Sequence, residues 1–231
     1  MASGNETFSL MQFFQMGGPF MWPLLVFSIA TVALTVERTM YLVYHNLRLD
    51  DLKDSVRGYI VRNDLSGAKA YLEARIKRRI GARILLVLIS RASLSEQRLE
   101  KAVESEAQSC MASLENGFNF LTTLGSLAPL TGFLGTVSGM IGAFKSIAEA
   151  TEVNAQIVAN GIYEALITTV FGLIIALVAV TAHSLLTHIV DKFAGEVEKT
   201  CSDLIIELAS PEPSGEAAEG SGAQSQSQVT A

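Results

Sequence analysis

The sequence predicts an all-α membrane protein with three transmembrane helices, of which the second and third are very long and extend into the cytoplasm. Three observations support this fold class. Hydrophobic residues make up 49% of the 231-residue chain and are concentrated in three blocks, whereas a soluble core would spread them. Lys and Arg are concentrated in one of the polar segments between these blocks. Apolar stripes of helical period flank the second and third blocks.

The first predicted transmembrane helix covers residues 19–44. Its uncharged core, from Phe20 to Val36, has 17 residues, near the lower limit for crossing ~30 Å of hydrocarbon. No Lys or Arg precedes this block, so it lacks the basic segment of a signal peptide and is interpreted as a retained anchor. Residues 1–18 carry several apolar side chains, which fit either a short amphipathic helix on the outer membrane surface or a frayed extension of the first helix.

The second predicted transmembrane helix covers residues 117–147, and the third covers residues 157–190. Neither is separated from its neighbouring apolar stripe by a Pro or a loop signal. We therefore predict one helix from about residue 94 to 147 and another from about 158 to 208, the first roughly 80 Å long and the second similar. The two stripes consist of Leu99, Val103, Ala107, Cys110 and Leu114, and of Val190, Phe193, Val197, Cys201, Leu204 and Leu208.

The distribution of positive charge orients the helices. Residues 45–116 contain 13 Lys and Arg, and residues 1–18 contain none. By the positive-inside rule, the N-terminus and the loop at 148–156 lie outside, and the helical region 45–116 is cytoplasmic together with a helix extension at 191–209. Residues 210–231 are rich in Ser, Gly, Gln and Glu and are predicted to be a disordered tail.

Local signals organise the predicted cytoplasmic region. Residues 64–67, Asp-Leu-Ser-Gly, predict a turn between two helices, and Ser93 with Glu96 forms a capping box that predicts a helix start. A basic cluster fits either contact with anionic lipid head groups or a solvated face that sets the topology. Its members are Arg75, Lys77, Arg78, Arg79 and Arg83.

Several classes of function are excluded or disfavoured. A net charge of -6 argues against nucleic-acid binding, and no phosphate-binding G-x-x-x-x-G-K loop is present. Ser138 and His183 cannot form a catalytic dyad, because they differ in predicted depth by roughly 24 Å. His183 and His188 are five residues apart, which is poor spacing for a shared metal, and Cys110 and Cys201 are interpreted as helix-packing residues. We therefore predict no enzyme, no metal site and no cofactor.

A face of small residues predicts close helix packing in the second span. Gly132, Gly135, Gly139 and Gly142 recur at spacings of 3, 4 and 3, which includes the small-x-x-x-small pattern of helices that approach closely in lipid. Such a face fits packing between helices and the building of an oligomer. The third span carries a matching small stripe, formed by Ala165, Thr169, Gly172, Ala176 and Ala179.

Three polar residues inside the spans are candidates for an ion pathway. Thr136 and Thr169 are equally far from the middle of the outer loop, so a symmetric hairpin places their hydroxyls at one depth in the bilayer. Glu164 lies about 7.5 Å nearer the outer face and is rotated by roughly 140° from Thr169. Ionisable groups inside a span are expensive and mark functional sites, although a packing carboxyl and back-bonded threonines remain the alternatives.

Two long motifs resemble the ExbB/TolQ family, which is related to the flagellar stator protein MotA. Pro129-Leu-Thr-Gly-Phe-Leu-Gly-Thr-Val-Ser-Gly-Met140 is similar to that family's P-x-x-G-L-x-G-T-V-x-G-[IM] signature, and Asn160-Gly-Ile-Tyr-Glu-Ala-Leu-Ile-Thr-Thr-Val-Phe-Gly-Leu173 to its G-I-x-E-A-L-x-x-T-x-x-G-L. Residues 17–24 and 36–42 resemble the opening of the ExbB-like branch. The resemblance covers most of residues 8–195. The sequence departs from the family pattern at two positions: Tyr163 stands where a small residue is usual, and Asn160 stands where Pro is common.

The resemblance implies a bacterial inner-membrane protein that forms a homo-oligomeric ring, typically a pentamer. The pore would hold helices of a single-span ExbD/TolR-like partner with an intramembrane Asp, and proton flow would energise an outer-membrane process such as TonB-dependent uptake, with a TonB-like protein as a further partner. Matched by position, Thr136 and Thr169 correspond to the family's pore threonines, and Glu164 to its third-span glutamate. The alternatives are a TolQ-like role in envelope maintenance, a MotA-like rotary stator, and a structural scaffold without an ion pathway. H⁺ and Na⁺ both remain open as the ion.

Overall fold

The computed structural model describes residues 17–45, 47–149 and 155–209, without the side chains of residues 155 and 157. Every regular element in these ranges is a helix, as the sequence predicts. The helices are α1 (Met21–Tyr44), α2 (Asp50–Val61), α3 (Leu65–Glu73), α4 (Ile80–Ser90), α5 (Glu96–Glu115), α6 (Phe118–Glu149) and α7 (Ala155–Ala209). The predicted outer segment before residue 17, the middle of the predicted outer loop and the predicted tail lie outside the described residues.

The chain divides into two compact units. The first contains α1, the end of α5, α6 and the part of α7 up to Lys192. The second contains α2, α3, α4, most of α5 and the rest of α7. Among the residues that the structure describes, three helical stretches are long and apolar enough to cross a membrane: Met21–Tyr44, Glu96–Glu149 and Val158–Ala209. The number of predicted spans is therefore confirmed.

The first unit has a small buried core and largely apolar outer surfaces. Met21 and Leu24 of α1 pack with Ala128 of α6 and with Ile167 and Ile175 of α7. Many large apolar side chains on the same three helices remain exposed in this chain, among them Trp22, Val26, Leu130, Phe133 and Leu177. Apolar surface of this extent is typical of proteins that face lipid or a protein partner.

The second unit has a conventional apolar core and ion pairs on its surface. Leu52 and Val56 of α2 and Leu85 and Leu88 of α4 are fully buried. Ion pairs join α2 to the end of α7: the Nζ of Lys53 lies 2.7 Å from Asp203, and the Nε of Arg57 lies 3.0 Å from Glu207. The hydrogen bond and the negative charge of Glu207 raise the pKa of Arg57 above its ordinary value.

The predicted basic cluster is mostly engaged within the second unit. Arg79 pairs with Asp51 and Arg83 with Glu106. The guanidinium of Arg75 stacks on the ring of Tyr71, 3.7 Å from its centroid. Lys77 and Arg78 are exposed. Three of the five basic residues thus have partners within the protein: two form ion pairs and one stacks on an aromatic ring. These contacts do not require lipid head groups.

The prediction of one unbroken helix from about residue 94 to 147 is wrong at one point. Asn116 and Gly117 form a turn between α5 and α6, and Gly117 has a φ of +90°, which favours glycine. A Cβ atom on Gly117 would lie 2.8 Å from the Nε of Arg38, so a side chain here would also displace that guanidinium group. The Asn-Gly pair is a known turn signal that outweighs the apolar stripe here. The third predicted helix, by contrast, is continuous.

Two local predictions in the polar region are displaced by about two residues. The turn predicted at 64–67 lies at Arg62 and Asn63, and Asp64 caps α3 by accepting a hydrogen bond from the backbone N–H of Gly67. The helix predicted to start from Ser93 begins instead at Glu96. In both cases the polar signal is real, but a one-dimensional pattern does not identify which residue takes the capping position. The buried cysteines, Cys110 and Cys201, are free thiols.

Candidate functional site

The α6 and α7 helices meet along a seam where backbone lies against backbone. A Cβ atom on Gly132 would lie 2.7 Å from the carbonyl oxygen of Thr168, and one on Gly139 would lie 3.0 Å from the Cβ of Ala165. From the α7 side, a Cβ atom on Gly172 would lie 2.5 Å from the carbonyl oxygen of Ala128. These distances leave no room for larger residues, so the small residues are needed for the close approach.

The structure places this seam inside one chain. Gly132, Gly135 and Gly139 all face α7, which accounts for their spacing without a second copy of the protein. Gly142 is the exception within the predicted face, because it is exposed and a Cβ atom built on it meets nothing within 4 Å. Within one chain, three of the four glycines therefore share the packed face, and the packing of Gly142 stays a prediction.

The two candidate threonines meet across the seam. The hydroxyl groups of Thr136 and Thr169 form a short hydrogen bond with each other. The Oγ1 of Thr136 also lies 3.1 Å from the carbonyl oxygen of Ala165, and the Oγ1 of Thr169 lies 3.2 Å from that of Gly132. The hairpin therefore places the two hydroxyls side by side, at the common depth that their equal distance from the loop predicts.

The hydrogen bond between the two hydroxyls can run in either direction, because each hydroxyl has only one hydrogen and either one can be the donor. We call these two arrangements the donor orders of the pair. Thr136 can donate to Thr169 while Thr169 donates to the carbonyl of Gly132. Alternatively, Thr169 donates to Thr136 while Thr136 donates to the carbonyl of Ala165. In each order every hydrogen has an acceptor. The pair can therefore reverse its direction without leaving a polar group unsatisfied.

Thr168 is a third hydroxyl that sequence reasoning did not select. It is 1% exposed, and its Oγ1 lies 2.8 Å from the carbonyl of Ala165 and 3.1 Å from that of Gly132. Both carbonyls also lie within hydrogen-bond distance of the Thr136–Thr169 pair. The Thr-Thr doublet is visible in the sequence, but the equal distances from the loop select Thr169 and not its neighbour.

Glu164 lines a cavity of about 340 Å³ in the first unit. The walls come from α6, from α7 and from the turn before α1. They include the polar residues Ser138, Ser146 and Asn160 and the small residues Gly17, Gly135, Gly139, Gly142, Ala143 and Gly161, with Pro19 and Phe20 completing the lining. Neither Thr136 nor Thr169 lines the cavity, although Gly135 is the immediate neighbour of Thr136. This separation agrees with the expected rotation of Glu164 away from Thr169.

The side chains considered for a catalytic dyad have separate surroundings. Ser138 lines the Glu164 cavity, and the ring of His183 packs edge-on against Phe118 with a centroid distance of 6.1 Å. Tyr163, one of the departures from the resembled motif, is exposed. Asn160, the other departure, lies within α7 and lines the cavity, so the helix continues through the position where Pro is common.

Comparison with known proteins gives consistent matches. A family model described as the MotA/TolQ/ExbB proton channel family matches residues 65–199. The chain is 30% identical over 197 residues to biopolymer transport protein exbB1 of Vibrio cholerae serotype O1, which covers 83% of this chain and 85% of that protein. It is 31% identical over 109 residues to biopolymer transport protein ExbB of Pseudomonas putida, covering 47% and 32%.

A relative from another branch matches a shorter stretch more strongly. The chain is 45% identical over 75 residues to the Tol-Pal system protein TolQ of Haemophilus influenzae, covering 32% of this chain and 33% of that protein. The family match spans the α6–α7 seam, the threonine pair and Glu164.

Proposed function

Because the chain belongs to the MotA/TolQ/ExbB proton channel family, we propose that it is the channel and stator subunit of a complex that uses proton flow to energise an outer-membrane process. It is a multi-pass membrane protein of this family, with three helical stretches capable of spanning a bilayer. The proposal extends to an ExbD/TolR-like partner and to TonB-dependent uptake as the process served.

The observation that supports an ion pathway is the threonine pair. Its hydroxyls can donate or accept hydrogen bonds, so they can solvate a carboxyl group in either protonation state. The predicted spans contain no Asp of their own. A partner helix that carries an Asp would therefore supply the proton carrier, and Thr136 and Thr169 would stabilise it at mid-membrane depth.

A ring of copies would complete such a pathway. The α6–α7 seam is already used within one chain, which leaves the exposed apolar faces of α1, α6 and α7 for lipid, for neighbouring copies and for the partner. The family typically forms pentamers, and we propose the same number here. A TonB-like protein would be the further partner on the outer side.

The ExbB-like role is favoured over the TolQ-like one by coverage. The relative named biopolymer transport protein exbB1 aligns over 83% of this chain, whereas the relative named TolQ aligns over 32%. Envelope maintenance remains the second candidate, since the TolQ match has the higher identity. The three candidate spans in the described part of the chain fit both roles, whereas a MotA-like stator is expected to have four.

Partner capture tests the proposed function directly. We expect the tagged chain, purified in mild detergent, to retain a single-span protein encoded beside it, with an Asp in that span. Native mass spectrometry of the complex would give the number of copies of each chain. Recovery of the chain alone, from cells that express the neighbour, would favour the scaffold alternative.

The orientation of the chain can be tested by cysteine labelling. In a background without Cys110 and Cys201, a membrane-impermeant maleimide added from the periplasmic side is expected to modify Asn5→Cys and Asn154→Cys but not Ala70→Cys. The reason is the contrast of 13 against no Lys and Arg between residues 45–116 and 1–18. Modification of position 70 in intact cells would reverse the proposed topology.

A further inference from the structure

The turn before α1 lies directly against the carboxylate of Glu164. Gly18 has a φ of +66°, and a Cβ atom built there would overlap Oε1 of Glu164 and lie 3.0 Å from its Cδ. The carboxylate thus occupies the space that any side chain at position 18 would need. The backbone conformation favours glycine at residue 18, and a side chain there would in addition displace the carboxylate of Glu164.

This turn is fixed at both ends. On one side, a Cβ atom on Gly17 would lie 2.7 Å from the Sδ of Met21 and 3.3 Å from Ile167, so Gly17 is packed against the core of the unit. On the other side, the carbonyl of Gly18 accepts a hydrogen bond from the backbone N–H of Met21, 3.2 Å away, in the first turn of α1. Pro19 between them has a restricted φ. The wall behind the carboxylate is therefore rigid.

On the opposite side of the carboxylate, the described residues leave a cavity of about 340 Å³ that is lined mostly by small and polar residues. A carboxylate pushed away from Gly18 would move into this space. The backbone of the turn therefore limits how far the carboxylate can lie toward this side of the cavity, and the cavity leaves room for it to be displaced the other way.

We propose that Gly18 is a positioning residue for Glu164: its bare backbone sets the place of the carboxylate in the cavity beside the α6–α7 seam. This inference rests on the proposed function, because it assumes that the place of the charge matters for ion coupling. The turn before α1 thereby gains a role at the proposed ion pathway that the motifs of the second and third spans do not assign.

The test is a double-mutant cycle between positions 18 and 164. We expect Gly18→Ala to lower the proton-driven output about 10- to 100-fold, as for a displacement of a functional group by about 1 Å. Glu164→Asp shortens the acid by one methylene and removes the overlap. In that background, Gly18→Ala is therefore expected to change the output by less than about twofold.

A glutamine and a neighbouring glycine provide the matched controls. Glu164→Gln keeps the length of the side chain, so it should not relieve Gly18→Ala. Gly17→Ala adds the same methyl group in the same turn but faces Met21 and Ile167, so Glu164→Asp should not relieve it. Gly58→Ala, where an added Cβ meets nothing, should behave as wild type. An equal loss from Gly18→Ala in the Glu and Asp backgrounds would overturn the proposal and assign the defect to backbone strain.

The melting temperature of the purified chain gives a second readout for the same cycle. If Gly18→Ala lowers the melting temperature and Glu164→Asp restores it while Glu164→Gln does not, position 18 is in contact with the carboxylate. This conclusion holds whatever happens to the proton-driven output. If Glu164→Gln by itself keeps full proton-driven output, the proposed ion role of Glu164 is wrong. The melting temperatures of the four variants would still test whether Gly18 contacts the carboxylate. Should Gly18→Ala not be recovered from membranes, its recovery with Glu164→Asp supports the proposal, and continued loss in that background contradicts it.

Discussion

The Thr136→Val, Thr169→Val double variant is expected to lose proton-driven output by about 10- to 150-fold, because a hydrogen bond to a charged group is worth about 1.5–3 kcal/mol. Val keeps the shape of Thr and removes only the hydroxyl. The complex should still assemble, since the seam depends on the glycines and not on these two groups. The measurement is an output that depends on the proton-motive force, normalised to the amount of complex recovered.

A threonine outside the pair is the control for this variant. Thr131 lies in the same helix as Thr136, and its hydroxyl donates to the carbonyl of Leu127, 2.9 Å away in the preceding turn. Thr131→Val is therefore expected to keep output and recovery. Full activity of the double variant would remove the hydroxyls from the mechanism and leave both threonines as packing residues.

The second large effect is expected at the seam. In Gly132→Leu, the new Cβ would lie 2.7 Å from the carbonyl of Thr168 and 3.0 Å from the Cα of Thr169, so backbone would have to move. Overpacking of this kind typically costs about 1–3 kcal/mol, and more where no flexible side chain can yield. We expect the chain to be degraded or recovered as an aggregate. The measurement is the yield of monodisperse protein after extraction.

Gly142→Leu is the matched variant, because Gly142 belongs to the same sequence pattern but faces open space. It should yield folded protein in wild-type amounts. Loss of the complex without loss of the folded chain would show that a neighbouring copy packs against this position. If instead Gly132→Leu folds normally, the packing of α6 against α7 described above is incorrect.

Much of the fold follows from composition and period. The three apolar blocks correspond to three helical stretches, and α7 runs without a break over 55 residues, as its stripe predicts. The interruption at Gly117 was missed because an apolar stripe can continue across a turn when the helices on both sides bury the same face. The Asn-Gly pair carried the signal, but its weight against a helical stripe cannot be judged from the pattern alone.

Contacts in the candidate site could be predicted from the sequence only where two residues are equally far from the same loop or repeat at a helical spacing. The pairing of Thr136 with Thr169 follows from a symmetric hairpin, which needs only the position of the loop. That Gly142 is exposed, unlike the other three glycines, depends on the path of α7 and could not be predicted from the spacing. The contact between Gly18 and Glu164 joins residues about 150 positions apart, and no periodicity relates them.

The single hydrogen on each hydroxyl of the threonine pair has a consequence for proton transfer. A proton passes along a chain of hydroxyls only if the last hydroxyl can hand its hydrogen to a group that holds a proton. In both donor orders of Thr136 and Thr169, the last acceptor is a backbone carbonyl, that of Gly132 or that of Ala165. A carbonyl does not hold the proton, so the pair would orient and solvate a carboxyl group of the partner, and that group, not the hydroxyls, would carry the ion.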